Sequence, residues 1–368
     1  MASKGIVMSG MRPTGRLHLG NYYGALKNWV RLQDEHDCFF GVADWHMLTT
    51  GYESTGRLNE DVRDMVLDWL TAGLNPEKCV MFRQSRVPQN AELTLLLGMI
   101  TPISWLENNP TYKEQLQELG KTKLSKALEG ASIPSTEIRQ KVSGAALEPV
   151  EADPERSRLE LRTQGFLSYP VMQTADIAVY GAGLVPVGHD QLPHLEISRE
   201  IVRRFNGIYG EVLVEPKPIV TETPKVPGID SRKMSKSYGN GIDLFETPET
   251  LKPKVMSMFT DPTKIRKDDP GHPQGCVVFA MHKLYSDFFP RRETECKEGT
   301  IGCVACKREL LESMDGPFAE FREKRAAFDK PGLVDEILEA GSAKARDVAE
   351  STMERVRSAM NLKARLGR

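Results

Sequence analysis

The residues best suited to chemistry stand in two short stretches far apart in the chain. The first is Gly10-Met11-Arg12-Pro13-Thr14-Gly15-Arg16-Leu17-His18-Leu19-Gly20-Asn21. It follows a short apolar run, Gly5 to Met8, and precedes a segment, Asn21 to Leu32, whose apolar residues recur at helical spacing. Strand, glycine-punctuated loop and helix are predicted in that order. Glycines at 10, 15 and 20 permit tight turns and close backbone approach, and the free N–H groups at the start of the following helix seat a phosphate. His18 and Asn21 sit where both could donate to phosphate oxygens. Taken alone, the stretch reads equally well as a turn that needs its glycines and binds nothing. The second stretch, Lys233-Met234-Ser235-Lys236-Ser237, lies between Pro227-Gly228 and Gly239 in a loop-like context. Two lysines flanking small hydroxyl residues suit a triphosphate tail, each bringing a compact charge on a flexible stem.

A third group is made of sulfur. Cys276, Cys296, Cys303 and Cys306 form C-x19-C-x6-C-x2-C, whereas Cys38 and Cys79 fall in apolar strands as ordinary core residues. Four thiols in a chain of intracellular character argue for a metal before disulfides, and both zinc and an iron–sulfur cluster accept four thiolates.

These groups need a frame. Asp37–Val42 reads as a second buried strand and Cys79–Phe82 as a third. Leu58–Ala72 is an amphipathic helix, with Val62, Met65, Val66 and Trp69 on one face and Gly73 as its cap, and Ala91–Ile100 is another helix. Strands alternating with helices predict an α/β, doubly wound parallel sheet of Rossmann-like form, with ligands at the carboxyl ends of its strands. From Leu116 to Arg162 charge and proline interrupt the pattern. That stretch reads as a solvent-exposed insertion, the alternative being a partner-binding surface.

Order returns at Gly165–Tyr180, where Tyr169, Gln173 and Asp176 share one helical face. A carboxylate there is costly unless it is paired or serves a ligand. Leu184–Val187 is a strand that delivers Gly188-His189-Asp190-Gln191 at its carboxyl end. Beyond Gly241 the chain turns helical over Glu249–Met258, Val277–Phe288, Phe318–Phe328, Leu333–Leu338 and Ala343–Met360. Lys and Arg outnumber Asp and Glu between 252 and 308, a local patch within a chain whose net charge is only -2. Three parts follow: a catalytic domain over 1–229, a lysine loop and linker over 230–245, and a helical domain over 246–368. No apolar run approaches the roughly 20 residues that span a bilayer, and no signal-peptide pattern opens the chain, so a cytoplasmic protein is expected.

Together, His18-Leu19-Gly20-Asn21 and Lys233-Met234-Ser235-Lys236-Ser237 resemble the two signatures of class I aminoacyl-tRNA synthetases. Tyr169-Pro170-Val171-Met172-Gln173-Thr174-Ala175-Asp176-Ile177, Val185-Pro186-Val187-Gly188-His189-Asp190-Gln191, Asn21-Tyr22-Tyr23-Gly24-Ala25-Leu26 and Asp261-Pro262-Thr263 are similar to the tryptophanyl-tRNA synthetase family, although Gln173 and Arg12 replace its commoner Met and Gln. The resemblance implies activation of L-tryptophan with ATP and Mg²⁺, transfer to tRNA(Trp), and a homodimer with no membrane association. It implies that Asp176 accepts the indole N–H, with Tyr169, Gln173 and Gln191 beside it. The same resemblance assigns ATP to Arg12, Pro13, Thr14, Gly20, Asn21, Gly188, His189, Asp190, Val226 and the 233–237 loop. His18, Asn21, Lys233 and Lys236 then serve the triphosphate. The helical domain reads the anticodon. The cysteine spacing resembles that of family members with a four-iron, four-sulfur (4Fe-4S) cluster, zinc being the alternative. Tyrosyl-tRNA synthetase and a non-catalytic binding paralogue are the competing readings of the whole chain, and a small-molecule nucleotidyltransferase would share only the first motif.

Overall fold

A computed structural model describes residues 5–109, 112–113, 163–188, 191–220 and 226–362. The expected insertion at 116–162, and His189 and Asp190 among the expected ATP contacts, lie outside the described residues. Five strands, β1 (Ile6–Met11), β2 (Asp37–Val42), β3 (Cys79–Arg83), β4 (Leu184–Val187) and β5 (Lys217–Val220), form one parallel sheet in the order β3-β2-β1-β4-β5. The order reverses at β1, which pairs with β2 on one side and β4 on the other, so a crevice opens at the carboxyl ends of β1 and β4. β1 runs three residues past the apolar stretch Gly5–Met8 because Ser9, Gly10 and Met11 pair in register with Phe40, Gly41 and Val42. Ladder hydrogen bonds carry small and polar residues into the sheet where hydropathy alone would stop.

Helices cover both faces: α1 (Lys27–Glu35), α2 (Asp44–Gly51), α3 (Leu58–Ala72), α4 (Gln89–Gly98), α5 (Ile103–Glu107), α6 (Gln164–Ala178) and α7 (Leu192–Tyr209). α3 ends as its sequence requires, at Gly73 with φ 112°. Trp29 of α1 stacks on Phe40 at 4.6 Å and meets Trp69 of α3 edge-on at 5.4 Å, which seats two helices on β2. The helix expected over Asn21–Leu32 is instead a single turn, Leu19–Asn21, a π-helical turn, Tyr22–Leu26, and then α1. In the wide turn Tyr22 and Tyr23 reach Phe321 and Tyr285 of the C-terminal helices, at 5.2 and 6.1 Å between ring centres.

The C-terminal part comprises α8 (Pro248–Ser257), α9 (Val277–Tyr285), α10 (Phe289–Lys297), α11 (Cys303–Phe328) and α12 (Leu333–Ala359). The helix expected over Val277–Phe288 breaks at Ser286, whose backbone is extended. The helices expected over Leu333–Leu338 and Ala343–Met360 are one, continuous through Gly341 and Ser342. The reason is tertiary. A Cβ on Gly341 would lie 1.8 Å from the Met81 carbonyl oxygen, and Ser342 Oγ accepts from the Arg83 N–H at 3.2 Å. α12 thus lies on β3 and shields the open edge of the sheet, while Ala345, Ala349, Met353 and Val356 join the core around Phe82. Leu310, Met314 and Phe318 of α11 share a second core with Val7, Trp29 and Trp69. The helical part therefore continues the catalytic core.

Candidate active site

Glycine-rich loop and lysine loop, more than two hundred residues apart in sequence, are bonded to each other. The Leu19 N–H donates to the Ile242 carbonyl at 2.9 Å and the Leu244 N–H to the Leu17 carbonyl at 3.1 Å, with His18 bridging Asp243 between them. Lys236 Nζ donates to the Thr14 carbonyl at 2.5 Å and lies 3.4 Å from Thr14 Oγ1. Asn240 holds the lysine loop in shape: its Oδ1 accepts from the Ser235 N–H at 2.8 Å, and its Nδ2 donates to Asp230 at 2.8 Å and to the Lys233 carbonyl at 3.2 Å. Gly228 is required beside it, because a Cβ there would fall 2.3 Å from Asn240 Nδ2. Nothing in the motif pattern marks Asn240 as a scaffold residue.

His18 caps the turn it precedes. Its Nδ1 accepts from the Asn21 N–H at 3.3 Å, and its own N–H donates to Asn21 Oδ1 at 3.2 Å. The ring proton therefore sits on Nε2. Burial, and then the charge of Lys236, push the imidazole pKa down to about 4, so His18 is a neutral donor at physiological pH. Gly20 is needed against this ring, since a Cβ would stand 3.0 Å from two of its atoms.

A cavity of about 590 Å³ opens at the strand-order reversal. From β1 and its loop it receives Gly10, Arg12, Gly20 and Asn21; from α6, Tyr169, Gln173 and Asp176; and from the remaining loops Gly188, Gln191 and Lys233. The face expected from the 169, 173, 176 spacing therefore points into one space. Next to it, a cavity of about 390 Å³ is lined by Thr14, His18, Asp61, Asp64, Lys236 and Asp243. The residues expected around a triphosphate are divided between the two, Asn21 and Lys233 on the larger and His18 and Lys236 on the smaller. Arg12 Nη2 donates to Thr50 Oγ1 at 2.6 Å. Pro13, Val226 and Met234 are buried, the last two within the apolar core, and among the described residues lining the two cavities Val226 and Met234 do not appear. Ser237 stands in the short turn Lys236–Tyr238.

Asp176 is held by two residues that sequence reasoning missed. Gln84 Nε2 donates to its two oxygens at 2.8 and 3.0 Å, and His46 Nε2 lies 3.0 Å from Oδ2. A carboxylate offers about four acceptor sites, so one remains for a donor arriving in the cavity. The detectable signal was positional: His46 follows β2 and Gln84 follows β3, both at carboxyl ends. Tyr169 Oη lies 2.8 Å from His194 Nε2, and His194 Nδ1 lies 3.0 Å from Gln191 Oε1, a chain that fixes the far wall. Burial pushes the Tyr169 phenol up to about 12.

Cys276, Cys296, Cys303 and Cys306 line one small cavity with Lys264 and Arg292, and all four are free thiols. Burial, with repulsion between neighbouring thiolates, raises the pKa of Cys276 and Cys296 and carries that of Cys306 to about 12. Among the described residues, no group of three or more His, Cys, Asp or Glu stands close enough to hold an ion as placed.

The family of class I tRNA synthetases for tryptophan and tyrosine matches residues 2–133 and 155–319. A tryptophan–tRNA ligase of Aquifex aeolicus is 47% identical, with 97% of this chain and 99% of the relative covered, and that of Thermotoga maritima is 44% identical over the same shares. The crystal structure of tryptophanyl-tRNA synthetase from Campylobacter jejuni, complexed with ADP and tryptophan, superposes with a TM-score of 0.75 at 31% identity, covering 97% of this chain and 99% of that one. A parallel sheet whose crevice is closed by two bonded motif loops, and relatives similar along nearly their whole length, lead to one conclusion: the chain belongs to the class I aminoacyl-tRNA synthetases of the tryptophan and tyrosine family.

Proposed function

We propose that the chain is a tryptophan–tRNA ligase that condenses L-tryptophan with ATP to tryptophanyl-adenylate and passes the aminoacyl group to tRNA(Trp). The observation that carries this reading is Asp176: a buried carboxylate at the floor of the larger cavity, oriented by Gln84 and His46 and left with one acceptor position. An indole N–H fills that position. A side chain without a donor strands the acid, at a cost of about 1–3 kcal/mol. A phenolic hydroxyl is the competing donor, as in the tyrosine enzymes. Exchange of labelled pyrophosphate into ATP, dependent on tryptophan and not on tyrosine, tests the assignment, and tyrosine-dependent exchange would reverse it.

No enzyme nucleophile is required. The tryptophan carboxylate attacks the α-phosphorus of MgATP in line and pyrophosphate leaves, so the chain contributes positioning and charge. Lys233 and Asn21 serve the phosphates nearer the amino acid. Lys236, now on Thr14, transfers to the leaving phosphates, and the neutral Nε2–H of His18 donates beside it. The ATP roles of Arg12, Pro13, Thr14, Gly20, Gly188, His189, Asp190, Val226, Met234, Ser235 and Ser237, and the tryptophan roles of Tyr169, Gln173 and Gln191, belong to this proposal. Residues 246–368 form the tRNA-reading domain beyond the catalytic domain of 1–229 and the lysine-loop linker. A homodimer is supported by the exposed apolar residues Leu95, Met99 and Ile103 on α4, α5 and the turn between them, and sedimentation tests it; a cytoplasmic location belongs to the same proposal.

The four thiols line one cavity with Lys264 and Arg292 to offset their charge but do not stand close enough to hold an ion as placed; on their sequence spacing we assign a 4Fe-4S cluster to Cys276, Cys296, Cys303 and Cys306. Bound there, the cluster would cross-link α9, α10 and α11. Absorbance near 400 nm with stoichiometric iron and sulfide in anaerobically purified protein checks the assignment, and a colourless protein holding one zinc overturns it.

A further inference from the structure

α3 carries Asp64 and Asp68 one turn apart, and Asp68 is 0% exposed among Met65, Val66 and Trp69. A carboxylate so placed must be satisfied by named partners. Its Oδ2 accepts the Leu17 N–H at 2.7 Å and its Oδ1 accepts Arg325 Nε at 3.0 Å, while Arg325 Nη2 reaches Asp64 Oδ1 at 2.5 Å. Arg325 stands in the last turn of α11, its guanidinium over the Phe245 ring at 5.1 Å, and Arg322, one turn earlier, donates to the Glu246 carbonyl at 2.5 Å. The end of one helix therefore holds both members of the pair that joins the motif loops: Leu17–Leu19 through Asp68, and Ile242–Leu244 through Glu246. Neither Arg325 nor Asp68 lines the two cavities. The peptide group they fix is Arg16–Leu17, one residue before His18.

We infer that Arg325 is a positioning residue for adenylate formation, acting through Asp68 on the Arg16–Leu17 peptide that leads into His18. A buried ion pair is a poor device for stability, because apolar residues of similar size would do as well, but it fixes a geometry that apolar packing leaves loose. Here that geometry sets where the His18 ring lies relative to Lys236. The inference rests on the adenylation reading above.

The test uses the full chain carrying Arg325→Gln, Arg325→Lys and Asp68→Asn, with pyrophosphate exchange, equilibrium tryptophan binding and thermal unfolding measured on each. Arg325→Gln is expected to lower kcat for exchange about tenfold or more while tryptophan affinity stays within about twofold, with Arg325→Lys recovering part of the loss. The pH profile separates positioning from bulk stability. Asp68 faces Arg325 and Asp64 and lies in the field of Lys236, so losing Arg325 moves the acid limb of kcat to higher pH, and Asp68→Asn removes that movement. Wild-type kcat and an unmoved acid limb in Arg325→Gln overturn the inference even if its Tm falls. Equal losses of kcat and tryptophan affinity overturn it too. Should Arg325→Gln fail to fold, the same readings on Arg325→Lys and Asp68→Asn decide. A wild-type chain without tryptophan-dependent exchange overturns the activity itself, and is scored before any variant.

Discussion

Replacing Gln84 by Met tests how Asp176 is made ready for its ligand. Gln84 is 2% exposed; its amide donates to Asp176 at 2.8 and 3.0 Å, and its Oε1 accepts the N–H groups of Trp45 and His46 at 3.1 and 3.3 Å. Methionine keeps the length and loses both functions. A hydrogen bond to a charged group contributes about 1.5–3 kcal/mol, and a buried amide left without an acceptor costs about 1–3 kcal/mol. The losses overlap at one side chain, and the cavity admits water to part of them, so the summed destabilisation is expected at about 2–4 kcal/mol. Asp176 also loses the donor that aims it, and tryptophan affinity is expected to fall about tenfold, equivalent to 1.4 kcal/mol. Gln84→Glu should be worse in both respects, since it sets a second carboxylate beside the first. Urea unfolding with and without saturating tryptophan, together with equilibrium tryptophan binding, measures both. An unfolding free energy within about 0.5 kcal/mol of wild type, with unchanged tryptophan affinity, would refute the claim that Gln84 holds the acid.

Further outcomes follow from the same geometry. Lys236→Ala should lower the single-turnover rate of adenylate formation by about 10²–10³ with little effect on tryptophan binding, and equal losses would contradict that division of labour. Gly20→Ala places a methyl carbon 3.0 Å from the His18 ring and should depress kcat more than stability, read by exchange kinetics beside thermal unfolding. Gly341→Ala lifts α12 off Met81 and should destabilise the fold by at least about 1–3 kcal/mol in urea, with the exchange rate of the surviving folded fraction preserved. His18 and His282 both have their pKa lowered to about 4 by burial, so each adds stability that is complete above pH 6.5 and is lost as pH falls toward 4. Asp68, raised by burial to about 6, has the opposite sign: its contribution is complete below about pH 3.8 and is lost as pH rises through 6. Asp68→Asn should therefore steepen the loss of stability between pH 6.5 and 4, measured by urea unfolding across that range; an unchanged slope counts against the assignment.

Much of the frame was written locally. β2, α3 and β4 run over the residues that their apolar patterns mark, and Gly73 ends its helix where a left-handed residue must stand, because burial on one face and backbone freedom at one position are properties of neighbours in sequence. The two chemical loops were legible for the same reason, their glycines and lysines being short-range patterns. Tertiary structure decided the rest. Asp68 looks in sequence like one more charge on a solvated helix and becomes fully buried only because Leu17 and Arg325 meet it there. His46 and Gln84 carry no motif, and they find Asp176 only where the ends of β2 and β3 meet α6. Gly341-Ser342 reads as a break between two helices until β3 lies beneath it and makes the small residues a seat. A sequence records what each residue prefers with its near neighbours. Which distant group satisfies a buried charge, or which backbone a glycine admits, is set when the sheet and helices close on one another, and those pairings hold the catalytic loops in place.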